Sequence, residues 1–142
     1  MNILQSDRAS FRSEGQTPTS TDLFFFSAAL WAGHRIHYDR PYTTEQEGYP
    51  ALLVHGPLQT SFIVQALENW LGDDGVLAGI SYRHTQPFYL GGSVHVEGVL
   101  APEADADGNR VIDVRCVAED GAVTTAATCM VKPRPGGSLA LP

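Results

Sequence analysis

Positive charge is scarce in this chain. Nine Lys and Arg stand against 16 Asp and Glu, for a formal net charge of −7. So acidic a balance argues against nucleic acid or an anionic membrane as the main partner. Any anionic ligand then needs a local basic patch, because the overall field repels it. Long apolar runs are missing too, and no stretch approaches the roughly 20 apolar residues of a membrane span. Residues 1–21 are rich in Ser, Thr and Gln and lack the apolar core of a secretory signal. They read as a loosely held polar arm, and a cytoplasmic protein is expected. Cysteine is limited to two residues, which agrees with that compartment. No internal repeat and no linker divides the 142 residues, so one domain with one core is expected.

What is present is concentrated in residues 34–58. His34 and His37 stand three apart, and Tyr38 and Asp39 follow at once. An apolar run from Ala51 to Val54 then delivers His55, Gly56 and Pro57. Pro57 suits the first position of a helix, where its missing N–H costs nothing. Gly56 before it leaves backbone N–H groups facing open space, a start that binds anions or a polarised carbonyl oxygen. A histidine that moves a proton beside an oxyanion site is a lyase arrangement. The spacing of His34 and His37 also suits metal ligands, with Asp39 or His55 as a third. The bland alternative is histidines satisfied in a polar surface loop. Asp39 and Arg40 are a candidate charge pair holding that loop.

Leu58, Phe62, Ile63, Leu67, Trp70 and Leu71 recur close to a 3.6-residue period, which predicts a helix over residues 57–71 ended by Gly72. So apolar a helix must be wrapped by other elements. Residues 23–31, LFFFSAALW, read as a buried strand followed by a turn. Strands are expected over 77–88, 93–100, 110–118 and 123–131. The Asp120-Gly121 pair marks a two-residue hairpin turn. His95 reads as a solvent-side residue of an alternating strand. With Glu119 facing Ala122, Cys116 faces Thr125 and Cys129 faces Ile112. The cysteines then lie about 13 Å apart along the sheet at roughly 3.3 Å per residue, too far for a disulfide. Both read as small buried hydrophobes. Arg83 lies in a strand beside Tyr82 and His84. It is a candidate phosphate anchor, or the partner of a surface carboxylate.

Three blocks occur in order: Gly33-His34-Arg35-Ile36-His37-Tyr38-Asp39, Glu47-Gly48-Tyr49-Pro50, and Val54-His55-Gly56-Pro57-Leu58. In these the chain resembles the MaoC-like hydratases of the hotdog fold. The likeness is nearest to the mesaconyl-type CoA hydratases and the type 2 3-hydroxyacyl-thioester dehydratases. The resemblance implies an α+β fold, a curved antiparallel sheet wrapped around one long apolar helix, over residues 22–132, with an irregular tail over 133–142. It implies addition or loss of water on an acyl thioester carried by CoA or an acyl carrier protein. His37 matches the catalytic histidine, and the Gly56 N–H would hold the enolate-like oxygen. His34, Tyr38, Asp39 and His55 are supporting candidates; Trp31, Tyr49 and Arg83 are substrate-binding candidates. One position departs from the pattern. The Asp or Asn expected five residues before the histidine is Ala32, so the second proton role falls to His34, Tyr38 or a bound water. No metal or redox cofactor is implied. The family pairs its sheets edge to edge, so a homodimer is expected, or a heteromer with another hotdog subunit. The alternatives are a non-catalytic or partner-dependent hotdog subunit, or a related elimination or isomerisation on a specialised metabolite.

Overall fold

The computed structural model describes residues 1–6, 9–137 and 139. Its elements are β1 (Ile3–Ser6), β2 (Ser10–Ser13), α1 (Ser20–Leu30), a short 3-10 turn (Arg35–His37), a π-helical turn (Tyr42–Gln46), α2 (Gly56–Leu71), β3 (Gly75–His84), β4 (Val94–Ala104), β5 (Arg110–Ala118) and β6 (Val123–Pro133). The strands form one sheet in the order β1-β2-β4-β5-β6-β3, and every neighbouring pair is antiparallel. The long helix α2 packs against β1, β3, β4, β5 and β6, and against β2 through Trp70 and Phe11. This is the hotdog arrangement.

The helix follows from its pattern. Ile63, Ala66, Leu67 and Leu71 are buried at one face of α2. They meet Val96 and Leu100 of β4, Ile112, Val114 and Cys116 of β5, and Ala127, Cys129 and Val131 of β6. Gly72 closes the helix with φ 51°, a conformation that favours glycine. Helix α2 starts one residue earlier than Pro57, at Gly56 with His55 as the preceding cap. A second, smaller cluster joins Leu23 of α1 to Leu52, Val54, Phe88 and Val94. It fixes the loops that carry the candidate site.

The N-terminal arm is corrected over Ile3–Ser6 and Ser10–Ser13. Those residues are strands, and Phe11 of β2 is 3% exposed, seated in the core beside Trp70 with ring centroids 5.4 Å apart. Gly98 of β4 makes room for it, since a Cβ there would meet the Phe11 ring at 2.2 Å. A polar strand that contributes one aromatic to the core carries little periodicity, and β1 and β2 join the four strands expected after the long helix. The stretch 23–31 is corrected from strand to helix. Thr19 and Asp22 form a reciprocal capping box at the start of α1, a local signal that outweighs the apolar composition. Only Leu23 and Ser27 of that helix are buried. Thr19→Ala should therefore cost about 1 kcal/mol of stability, the usual loss for such a cap. Urea midpoints of the two proteins check it, and an unchanged midpoint would count against the cap.

The cysteines pair across β5 and β6 as expected, Cys116 with Thr125 and Ile112 with Cys129. Both thiols are free and buried, and burial pushes them up to about 12 for Cys116 and about 11 for Cys129. The hairpin turn between them differs. Ala118 N–H donates to the Ala122 carbonyl, 2.9 Å, leaving three residues in the loop, and a register shift follows at Cys116/Val117. His95 lies on the open face of β4 as expected, alternating with buried Val94 and Val96, and its ring bonds Glu97 on that same face at 2.9 Å. In the tail, the Arg134 guanidinium donates to the Gly75 carbonyl at 3.1 Å. Residues 138 and 140–142 of the expected irregular tail, and 7–8 of the arm, lie outside the described residues. Among the described residues no helix is long and apolar enough to cross a membrane.

Candidate functional site

The segment 52–54 is the frame of the site. Val54 N–H donates to the Phe88 carbonyl and Leu90 N–H to the Leu52 carbonyl, each at 2.8 Å. On its other side Leu53 N–H donates to the Ile36 carbonyl at 3.0 Å. Three segments distant in sequence are thereby tied together. The Leu53 carbonyl accepts a hydrogen bond from His37 Nδ1 at 2.9 Å. A carbonyl only accepts, so Nδ1 carries the proton and Nε2 is left with its lone pair. Partial burial is the main cause that lowers His37 from its ordinary value; the Leu53 bond opposes it and His34 adds to it.

His55 is 2% exposed and stacks on His37, with ring centroids 3.7 Å apart and 18° between planes. Its Nε2 lies 2.8 Å from Ser27 Oγ of α1. Nδ1 is buried without a partner among the described residues. We therefore assign the proton to Nε2, donating to Ser27, because an orphan buried N–H is rarer than an unpaired acceptor. Burial, and next the His37 charge, lower His55 to about 4. It is a neutral ring at neutral pH, packed against His37.

Gly56 opens α2 directly after His55. His55 gives that helix no side-chain cap, and Pro57 has no N–H to offer. The Gly56 N–H is one of the unpaired donors of a helix start, at the positive end of the helix dipole. His37, Val54, Gly56, Gln59, His84 and Phe88 line a cavity of about 290 Å³ together with Leu53 and the 85–87 turn. A free imidazole nitrogen and a helix-start donor in one cavity can move a proton and hold a developing oxyanion.

The other candidate residues are distributed as follows. His34 caps the 3-10 turn, its Nδ1 accepting from Ile36 N–H at 3.4 Å, and its ring centroid lies 6.5 Å from that of His37. Asp39 pairs with Arg35, at 2.6 Å, rather than with Arg40; residues four apart on one turn meet where adjacent ones diverge. That guanidinium holds the Asp39 carboxyl below the usual range, and it also lies over the Tyr42 ring at 4.1 Å. Tyr38 donates its hydroxyl to the Gly33 carbonyl at 2.8 Å. Tyr38, Trp31 and Ala32 line a second, largely apolar cavity of about 430 Å³ along α1. Trp31 is 95% exposed there. Tyr49 lies against Tyr89, ring centroids 6.3 Å apart. Arg83 is exposed on the edge strand β3. Among the described residues no three His, Cys, Asp or Glu side chains gather as a metal site. Sequence reasoning named His84 only as a neighbour of Arg83, yet its ring stands in the cavity with His37. Its position at a strand end opposite Thr125 depends on a β3–β6 pairing that no local pattern announces.

The chain is 38% identical over 109 residues to the mesaconyl-C(4)-CoA hydratase of Chloroflexus aurantiacus, a match that covers 75% of this chain. It spans about a third of that relative's length, 35%. Among solved structures it is similar to an (R)-hydratase from A. caviae involved in PHA biosynthesis, with TM-score 0.79 and 18% identity over 91% of this chain and 98% of that one. It is also similar to a chain of the ChsH1-ChsH2 complex from Mycobacterium tuberculosis, with TM-score 0.73 and 20% identity over 85% and 92%. These likenesses carry the hotdog fold. The family model for hydroxyacyl-thioester dehydratase type 2 matches residues 2–90, from β1 to Leu90. That span takes in His37, His55, Gly56 and His84 and more than half of the sequence, and on it the chain belongs to the hydroxyacyl-thioester dehydratase type 2 family.

Proposed function

We propose that the chain adds or removes water on an acyl thioester carried by CoA or an acyl carrier protein. One observation carries the reading: the unprotonated Nε2 of His37 and the Gly56 end of α2 belong to one cavity. In the dehydration direction His37 takes the proton alpha to the thioester carbonyl. The Gly56 N–H stabilises the enolate-like oxygen while the hydroxyl leaves. His55 acts behind His37 as a neutral stacked ring, and Leu53 holds its tautomer. Trp31, Tyr49 and Arg83 remain the substrate contacts we propose, Arg83 for the phosphates of a carrier. The buried, unpaired thiols suit a cytoplasmic setting. The test is the purified chain with crotonyl-CoA and longer enoyl thioesters, followed by loss of the conjugated enoyl absorbance. No turnover on any of them would overturn the reading.

A second reading, a partner-dependent subunit, is favoured by two observations. Ala32 supplies only a methyl group where the resemblance implies an Asp or Asn. Phe24, Phe25 and Leu30 of α1 are each more than half exposed, an apolar surface of the kind that partners cover. Assaying the chain with and without candidate hotdog partners separates the two readings.

Assembly follows from β3. It is an edge strand, and an open edge is a template for pairing with another chain. We expect a homodimer, and light scattering at micromolar protein should give about twice the 15.3 kDa chain mass. A monomer across a wide concentration range would count against it.

A further inference from the structure

Ala32 has no proton to give, and it lines the apolar cavity along α1, separate from the one that holds His37. A second proton-transfer group has to come from the walls of the His37 cavity. His84 is there. It is the last residue of β3 and faces Thr125 of β6 in the register. Its Nδ1 lies 3.0 Å from Thr125 Oγ1. Thr125 is fully buried and gives its one hydroxyl proton to Gln59 Oε1 at 3.2 Å. The hydroxyl therefore accepts from His84, so Nδ1 carries the proton. His84 Nε2 is left with its lone pair, the same tautomer as His37.

His84 is an exposed residue whose ring packs on one side against the start of α2. A Cβ on Gly56 would come within 2.3 Å of His84 Nε2 and within 2.7 Å of Cε1. The nitrogen therefore sits against the Gly56 backbone at the helix start. Gln59, which anchors Thr125, is 2% exposed on the first turn of α2. The relay His84–Thr125–Gln59 thus ties the ring to the same helix end that Gly56 opens.

We propose that His84 is the second catalytic group of this site, sharing the proton work with His37 in place of the residue that Ala32 lacks. This rests on the hydratase reading given above. Dehydration starts once His84 Nε2 has taken one proton from solvent, so that the two imidazoles together carry one extra proton, and it then balances as follows. The Cα–H bond breaks and its proton goes to His37 Nε2. The electron pair forms the new C=C bond through the enolate. The Cβ–O bond breaks, and the hydroxyl takes the proton of His84 Nε2–H and leaves as water. His37 ends protonated and His84 neutral; exchange with solvent returns the proton. Hydration runs the same steps in reverse.

The test is made on the full chain with a turned-over enoyl thioester. His84→Gln keeps a donor for Thr125 but cannot carry a proton in exchange. It should lower kcat by about 100-fold while KM moves by less than about threefold. His84→Gly leaves a ring-sized gap, and added imidazole should recover part of its lost kcat. A folded His84→Gln with the parent's kcat, alongside a His37→Gln that has lost it, would overturn this inference and leave the hydratase reading standing. A His84→Gly that imidazole does not restore, in a protein with the parent's melting temperature, would also overturn it, because it reduces His84 to a positioning role. A parent chain inactive on every enoyl thioester overturns the hydratase reading and this inference with it.

Discussion

His37→Gln should lower turnover of an enoyl thioester by at least about 100-fold, the scale for loss of a general acid–base group. Gln can still donate to the Leu53 carbonyl, so the loop at Ile36 and Leu53 should hold and the melting temperature should change little. What it loses is the basic Nε2. Because KM reports ground-state contacts, kcat and kcat/KM should fall together. The cause that lowers His37, burial above all, keeps the ring neutral through the upper imidazole range. Activity in the direction that needs neutral His37 should persist below pH 6.5 before it declines. A folded His37→Gln variant with the parent's turnover would remove His37 from the mechanism.

The second large effect is on stability. His55 has an ordinary value of 6.5 and is lowered to about 4 in the fold. The unfolded chain therefore binds this proton first as the pH falls. The contribution of His55 is complete above its unfolded value, is lost progressively as pH falls toward about 4, and does not change further below that. Its size is about 3 kcal/mol, from about 1.4 kcal/mol per pKa unit. Urea unfolding at about pH 7 and about pH 4 measures it. His55→Gln removes the titrating group and should flatten the dependence over that window, with a lower stability at neutral pH because the stack on His37 is gone. His37 and His84 are lowered too, so part of the slope should survive in the variant. An identical slope in both proteins would mean that His55 is not held neutral by the fold.

Much of the architecture could be read from residues alone, and the parts that could not have definite physical causes. Helix α2 was legible because its period, Pro57 and Gly72 all point the same way. The β5–β6 pairing was legible for a less secure reason. The assumed two-residue turn misplaces the loop by one residue, and the register shift at Cys116/Val117 restores the sum, so Cys116 still meets Thr125. Helix α1 was missed because its apolar residues are mostly exposed and do not form one stripe. The Thr19–Asp22 box was its only strong local signal. Strands β1 and β2 were missed because a strand of four residues is too short to show a pattern. In the site, the motif blocks brought out His37, His55 and Gly56. His84 stayed hidden because it reaches them only through the pairing of a strand with one some 40 residues later.

The clamp around residues 52–54 has a consequence for how the site comes and goes. Its Leu53 and Val54 amides donate to the carbonyls of Ile36 and Phe88, and its Leu52 carbonyl accepts from the Leu90 amide. No fragment shorter than the span from the 3-10 turn to Leu90 can satisfy all three bonds, so the frame that holds His37 against the Leu53 carbonyl is complete only after that whole span has closed. Deuterium uptake at Leu53, Val54 and Leu90 therefore becomes a direct gauge of the site. Those three amides should exchange together, in one opening event, and any condition that releases them should silence the chemistry while α2 and the central strands remain protected.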